Sequence, residues 1–152
     1  MNIAVDFDGT IVEHRFPYIG REIPFAFATL RKLQEEGHQI ILWTAREGRF
    51  LQDAIEFCQE HGFTFYAINS NYSVEDQKQL EFSVPGRKLR NIDIYIDDRN
   101  LGGLPDWGVI YEIIHNNLTY EDFFRKQYQE NANGTLSAFW KGLLGRIGLH
   151  LS

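Results

Sequence analysis

Two aspartates stand two residues apart at the end of a short apolar run. Asn2-Ile3-Ala4-Val5 stops at Asp6-Phe7-Asp8-Gly9-Thr10. Ionised carboxylates beside a buried run cost a fold heavily unless something neutralises them. A bound cation with hydrogen bonds around it resolves that cost, so the residue types predict a metal site at the tip of this run. Similar chemistry recurs downstream. The apolar run Gln39 to Trp43 ends at Thr44, and the run Ile92 to Ile96 ends at Asp97-Asp98, with Lys88 just ahead of it. Adjacent carboxylates repel one another unless a cation sits between them.

Carboxylates, a hydroxyl and an ammonium together suit phosphoryl transfer through a covalent aspartyl intermediate. A carboxylate nucleophile splits one difficult displacement into two easier ones. It cannot approach a dianionic phosphate unaided, and oxygen ligands suit Mg²⁺, a hard cation that keeps several of its waters. A second carboxylate two residues on can protonate the leaving oxygen and later take a proton from the attacking water. A threonine and a lysine supply donors that spread charge on the phosphoryl oxygens.

These residues need elements that bring them together. The apolar runs at 2–6, 39–43, 63–68 and 92–96 read as strands, each ending in polar residues. Between them, Phe25, Phe27, Leu30 and Leu33 repeat at helical spacing after Pro24, which occupies a first-turn position, and Gly37 closes that helix. Phe50, Leu51, Ala54, Ile55, Phe57 and Cys58 predict a second helix over 47–60, stopped by Gly62. Such alternation predicts right-handed crossovers and a parallel sheet covered on both faces. In such a sheet ligands bind at the carboxyl ends of the strands, where the candidates fall. Residues 11–23 read as a loop or irregular hairpin around Pro17 and Gly20, and 69–87 as a long polar loop. Beyond Gly102-Gly103, residues 109–115 read as a helix or a strand-helix junction. Thr119 caps a further helix running to about Gln129.

Asp6-Phe7-Asp8-Gly9-Thr10, Thr44, Lys88 and Asp97-Asp98 occur in the order of the four motifs of the haloacid dehalogenase (HAD) superfamily, which the chain resembles over about residues 1–100. The resemblance implies a three-layer αβα Rossmann-like parallel sheet of α/β class, and a Mg²⁺-dependent phosphoric monoester hydrolase. It implies Asp6 as nucleophile and Asp8 as general acid/base. Thr44 and Lys88 would bind phosphate, with Lys88 also orienting Asp6, and Arg87 or Arg90 are its substitutes. The metal would be held by the Asp6 carboxylate, the Asp8 main-chain carbonyl and the Asp97-Asp98 pair, Asp98 preferred as the direct ligand. An aspartate two residues after the nucleophile marks the phosphatase and phosphomutase branches of that superfamily. Residues 11–23 leave room for a flap but not a large cap domain, so the chain resembles the capless members. An uncapped site excludes water poorly, which calls for a large substrate or another subunit to cover it.

Secondary candidates rim the same strand ends. Arg46 could reach a substrate phosphate or a leaving group, or pair with Glu47 or Glu22. His14, Phe16 and Tyr18 in the flap, and Asn69, Asn71 and Tyr72 after the third strand, could select substrate. Arg99 reads as structural and Cys58 as core.

The whole chain agrees with a catalytic domain over 1–130 and a tail over 131–152. At 152 residues it has length for one core. A net charge of −6 and a pI near 5.3 argue against nucleic acid as partner. The single cysteine excludes an intramolecular disulfide. With no leader and no membrane span, it predicts a cytoplasmic protein. In the tail, Leu136, Phe139, Trp140, Leu143, Leu144, Ile147 and Leu151 share a helical face, while Gly142, Gly145 and Gly148 weaken it. The tail is a candidate for docking on the domain, for self-association into a homo-oligomer, or for lying on a membrane surface. The expected partner is a phosphorylated substrate, either a small molecule or an exposed phosphate on a larger one. Alternatives to a phosphatase are a phosphotransferase or phosphomutase of the same fold, and a non-catalytic metal- or phosphate-binding module.

Overall fold

The computed structural model describes residues 1–70, 91–130 and 132. The chain falls into two compact units, Met1–Tyr111 and Glu112–Ser152. Lys88, Arg87, Arg90, Asn71, Tyr72 and the apolar positions of the tail lie outside the described residues.

The first unit is α/β, built on four parallel strands: β1 (Asn2–Val5), β2 (Gln39–Leu42), β3 (Ala67–Ile68) and β4 (Ile94–Ile96). Ile3, Ala4, Val5, Ile40, Ile41, Leu42 and Ala67 are buried, as strands sandwiched on both faces must be. The sheet order is β3-β2-β1-β4. The chain therefore steps outward from β1 through β2 to β3, then returns to pair β4 with the other edge of β1. That reversal opens a crevice at the carboxyl ends of β1 and β4, where open α/β sheets take ligands. Register fixes what meets there. Val5 pairs with both Leu42 and Ile96, so Asp6, one step on, lies level with Trp43 and Asp97. The ladder continues to that level, because Asp6 N–H donates to Ile96 O at 3.0 Å and Trp43 N–H to Val5 O at 2.8 Å.

Helices α1 (Ala26–Glu35) and α2 (Gly48–Glu60) carry the β1–β2 and β2–β3 connections. Right-handed crossovers running in one direction put both on the same face of the sheet. They pack through Phe27, whose ring lies 6.1 Å from Phe57 and 6.2 Å from Phe63. Arg31 Nη1 adds a 2.8 Å bond to His61 O. Helix α3 (Trp107–His115) follows β4. Its Tyr111 hydroxyl donates to Glu36 Oε1 at 2.6 Å, and Thr29 Oγ1 donates to Trp107 O at 3.3 Å, which sets α3 beside α1. All three helices end in the same way. A left-handed residue (Gly37, Gly62 or Asn117) and its successor send amides back to the last turn, as in His38 N–H to Leu33 O and Phe63 N–H to Cys58 O. The connection from β3 to β4 lies mostly outside the described residues.

Several sequence-based boundaries need correction. Pro24 does not open α1: Phe25 intervenes as its N-cap at φ +69°, and its ring is 67% exposed instead of joining the core. Of the strand predicted over 63–68 only Ala67–Ile68 joins the ladder. Phe63 and Phe65 are buried in ring contact with each other instead. Trp43 lies past the end of β2, and Ile92 before β4. Phe50, predicted on the core stripe of α2, is 43% exposed and meets Phe16 of the flap at 5.5 Å. That flap is the predicted hairpin: Glu13 N–H bonds Arg21 O at 2.8 Å, Ile23 N–H bonds Ile11 O at 2.9 Å, and Val12 bridges Glu22.

In the second unit, helix α4 covers residues 120–130. Thr119 caps it as expected, accepting Asp122 N–H at 3.0 Å on Oγ1. Among the described residues no helix is long and apolar enough to cross a membrane.

Candidate functional site

Beyond Val5 the chain leaves the sheet in a tight turn. Ile11 and Val12 amides both reach back to Phe7 O, and Gly9 N–H bonds Val12 O at 2.7 Å. The bridge between Asp8 and Val12 thus uses the carbonyls of Phe7 and Val12 and bypasses that of Asp8. Gly9 holds φ +93°, a left-handed conformation that disfavours any side chain, and a Cβ there would overlap the Asp98 carboxylate. The glycine is what lets the β4 loop come down onto the β1 loop. Thr10 fastens the approach. Its buried hydroxyl accepts Asp98 N–H at 3.1 Å, and its carbonyl accepts the Trp107 indole N–H at 3.1 Å.

The result is a carboxylate cluster. Ligand oxygens of Asp6, Asp97 and Asp98 lie within 4.8 Å of one another. Among the described residues none of the three has an ion-pair partner. Asp97 Oδ1 accepts the Arg99 amide at 2.8 Å. Asp98 Oδ1 is buried with no hydrogen-bond partner. Burial pushes the Asp6 carboxyl up from 3.8 to about 6, opposed by a bond from the Phe7 amide and reinforced by Asp97, Asp98 and Asp8. An orphaned buried oxygen beside two further carboxylates is what a hard divalent cation would satisfy. The donor set therefore fits Mg²⁺. Of the three, it is Asp98 that has the vacant buried oxygen.

Asp8 has a different fate. Asp8, a residue 7% exposed, faces Arg46, which is 2% exposed. Arg46 Nε meets Asp8 Oδ2 at 2.7 Å and Nη2 meets Oδ1 at 2.7 Å, a two-pronged fork. The same guanidinium donates to Pro17 O at 3.2 Å and Tyr18 O at 2.8 Å in the flap. This corrects the expectation that Arg46 pairs with Glu47 or Glu22. Asp8 is open to the carboxylate cluster at most through its main chain, because Arg46 occupies both of its side-chain oxygens.

Thr44 is 1% exposed. Its amide donates to Asn69 Oδ1 at 2.9 Å, and its Oγ1 accepts Arg46 N–H at 3.2 Å. Asn69, proposed as a substrate selector, thus supports the loop that presents Thr44. A cleft of about 510 Å³ joins Asp6, Asp8, Thr44 and Asp97 with His14 and Phe16 of the flap, and with Trp43, Arg46 and Arg99. Asp98 joins these residues through the carboxylate cluster, whereas Tyr18 and Asn69 do not line the cleft. Arg99, read as structural, lies in the cleft wall. Sequence reasoning missed the supports Trp107 and Thr10. Thr10 lies inside the first motif and offered a signal, whereas Trp107 meets it from 97 residues away.

No protein-family model matches the chain, and no curated protein does. A solved structure from Bacteroides thetaiotaomicron, described as that of a conserved protein, is similar at 56% sequence identity with a TM-score of 0.71. The match covers 82% of this chain and 97% of the other.

Proposed function

For a chain that belongs to the same family as this conserved Bacteroides protein, we propose a Mg²⁺-dependent phosphatase of HAD type that hydrolyses a phosphomonoester through phospho-Asp6. One observation carries the reading. A carboxylate that nothing in the described chain neutralises (Asp6) stands two residues from one that an arginine holds in a fixed direction (Asp8), on the same cleft. The two oxygens are equipped for different work, one to attack and one to move protons.

Asp6, Asp97, Asp98 and the Asp8 carbonyl would hold the cation, which supplies charge neutralisation to let an anionic nucleophile meet an anionic phosphate. An Asp6 carboxylate oxygen attacks phosphorus and the bond to the leaving oxygen breaks, that oxygen taking a proton from Asp8. Asp8, now a carboxylate, takes a proton from water, whose oxygen attacks phosphorus and releases inorganic phosphate and free Asp6. Thr44, buried and held by Asn69, orients a hydroxyl toward the phosphoryl oxygens. Lys88 is the proposed second donor to them. The flap over 11–23, and the stretch 45–87 between the second and third motifs as read from the sequence, favour a capless, open site. The cleft suits a phosphate on a small molecule or at an exposed point of a larger one.

Asp6→Asn tests this reading. With Mg²⁺ and an aryl phosphate, the variant is expected to fold normally and to release no phosphate above background, while the wild-type protein turns over. Retained activity in the variant would rule out Asp6 as nucleophile. Release of phosphate, as opposed to its transfer to an added alcohol, separates a phosphatase from a phosphotransferase.

A further inference from the structure

Arg46 is a large buried charge in the cleft, and its side chain touches two separate parts of it, the Phe7–Asp8 turn and the flap. Its fork holds both oxygens of Asp8. The same guanidinium also donates to the flap carbonyls of Pro17 and Tyr18. The guanidinium lies 5.1 Å from the centre of the Phe7 ring and 5.3 Å from that of Phe16, one from the nucleophile turn and one from the flap. Its own amide bonds Thr44 Oγ1.

A guanidinium has five N–H donors. Four are committed here: Nε once, Nη2 twice and Nη1 once. That leaves one for a substrate, too few for the two-pronged grip by which arginine binds phosphate. The geometry points to a positioning residue that acts through Asp8, and we infer that Arg46 seats Asp8 against the flap in the direction along which a proton passes between its carboxyl group and the leaving oxygen. The inference rests on the phosphatase reading above. A carboxylate held at both oxygens cannot swing, and proton transfer in a displacement depends on such alignment. Because Nη2 bonds both Asp8 Oδ1 and Tyr18 O, the aim of Asp8 is tied to the seating of the Pro17–Tyr18 segment. A lysine in its place offers a point charge without the fork.

The test is a series of aryl phosphates, from good leaving groups such as 2,4-dinitrophenol to poor ones such as phenol. Good leaving groups depart without a proton and poor ones need it. Arg46→Gln is expected to lose little on the dinitrophenyl ester and about 10²–10⁴-fold on the phenyl ester. The loss should fall on kcat with KM nearly unchanged, and Arg46→Lys should recover part of it. Equal losses across the series, or losses carried by KM, would make Arg46 a phosphate binder and overturn the inference. Should Arg46→Gln fail to fold, Asp8→Asn/Arg46→Gln replaces the ion pair by two amides and can be compared with Asp8→Asn alone. Equal rates for those two support action through Asp8, and a further multiplicative loss contradicts it. A wild-type protein inert toward every ester would remove the phosphatase reading and this role with it, an outcome distinct from either variant result.

Discussion

Asp6 and Asp8 are separated by one residue and differ in everything that decides their chemistry. Asp6 faces Asp97 and Asp98, with burial holding its carboxyl up at about 6. Asp8 faces Arg46, with both oxygens bonded to a cation that the chain itself supplies. The first environment leaves charge to be neutralised from outside, and the second leaves none. One turn of chain thus sets two carboxylates side by side in opposite surroundings, which the proposed function uses as a place for a metal and a place for a proton carrier. What separates them is the direction of the alternating backbone and the partner each side chain meets. Identical residue types acquire different roles from environment alone.

The comparison can be broken from either side. The largest effect on stability is expected from Arg46→Met, which strips the cation from a buried carboxylate. Removing one partner of a buried pair costs about 3–5 kcal/mol, read as a lower urea midpoint at unchanged slope. Asp8→Asn in the same chain should restore much of it. A loss confined to a few tenths would mean that the pair is solvated and that Asp8 is free to turn. Gly9→Ala strikes the other side. It forces a side chain into φ +93° and against Asp98, with an expected cost of about 1–3 kcal/mol for the backbone alone. Mg²⁺ should then raise the melting temperature of Gly9→Ala less than that of the wild-type protein. An unchanged metal response would separate Gly9 from the cluster.

The smallest effect sharpens the electrostatic contrast. In metal-free buffer the native Asp6 carboxyl titrates near 6, against 3.8 as its ordinary value. Between these limits the native state keeps a proton that the unfolded chain has released, so this group's contribution to stability falls as pH rises from about 4 to about 6. Asp6→Asn carries no charge at any pH. It should therefore be more stable than the wild-type protein at pH 7, with a margin that closes as the pH is lowered through that window. Adding Mg²⁺ at pH 7 should reverse the order, since a bound cation stabilises only the chain that holds it. A margin independent of pH would show that Asp6 is not strained by its neighbours.

Much of this arrangement was legible in the chain, and the boundary of legibility is physical. Strand ends could be read because an apolar run stops at a charged residue, as at Val5-Asp6 and Ile96-Asp97. The order of the sheet could be read only as a class, since alternation of strands and helices implies parallel pairing without saying which edge β4 takes. Phe63 and Phe65 misled because alternating aromatics suit a strand and a ring cluster equally. Phe25 misled because helical spacing carries no record of a left-handed N-cap. Arg46 was visible as a candidate, but its partner lies 38 residues away across the β1–β2 pair, and local spacing offered only Glu47 and Glu22. Contacts made by the fold are recovered last, and they decide whether a charge serves catalysis or support.

The central claim is a covalent bond at Asp6, and chemical trapping addresses it most directly. Asp8→Asn, slowed in dephosphorylation, is mixed with an aryl phosphate and Mg²⁺ and quenched with borohydride, which reduces an acyl phosphate to an alcohol. Mass spectrometry of the peptide Met1–Arg15 should then find homoserine in place of Asp6, and only after exposure to substrate. Turnover by the wild-type protein, with an unmodified Asp6 and reduction at another carboxylate or none in the trapped variant, would contradict the account.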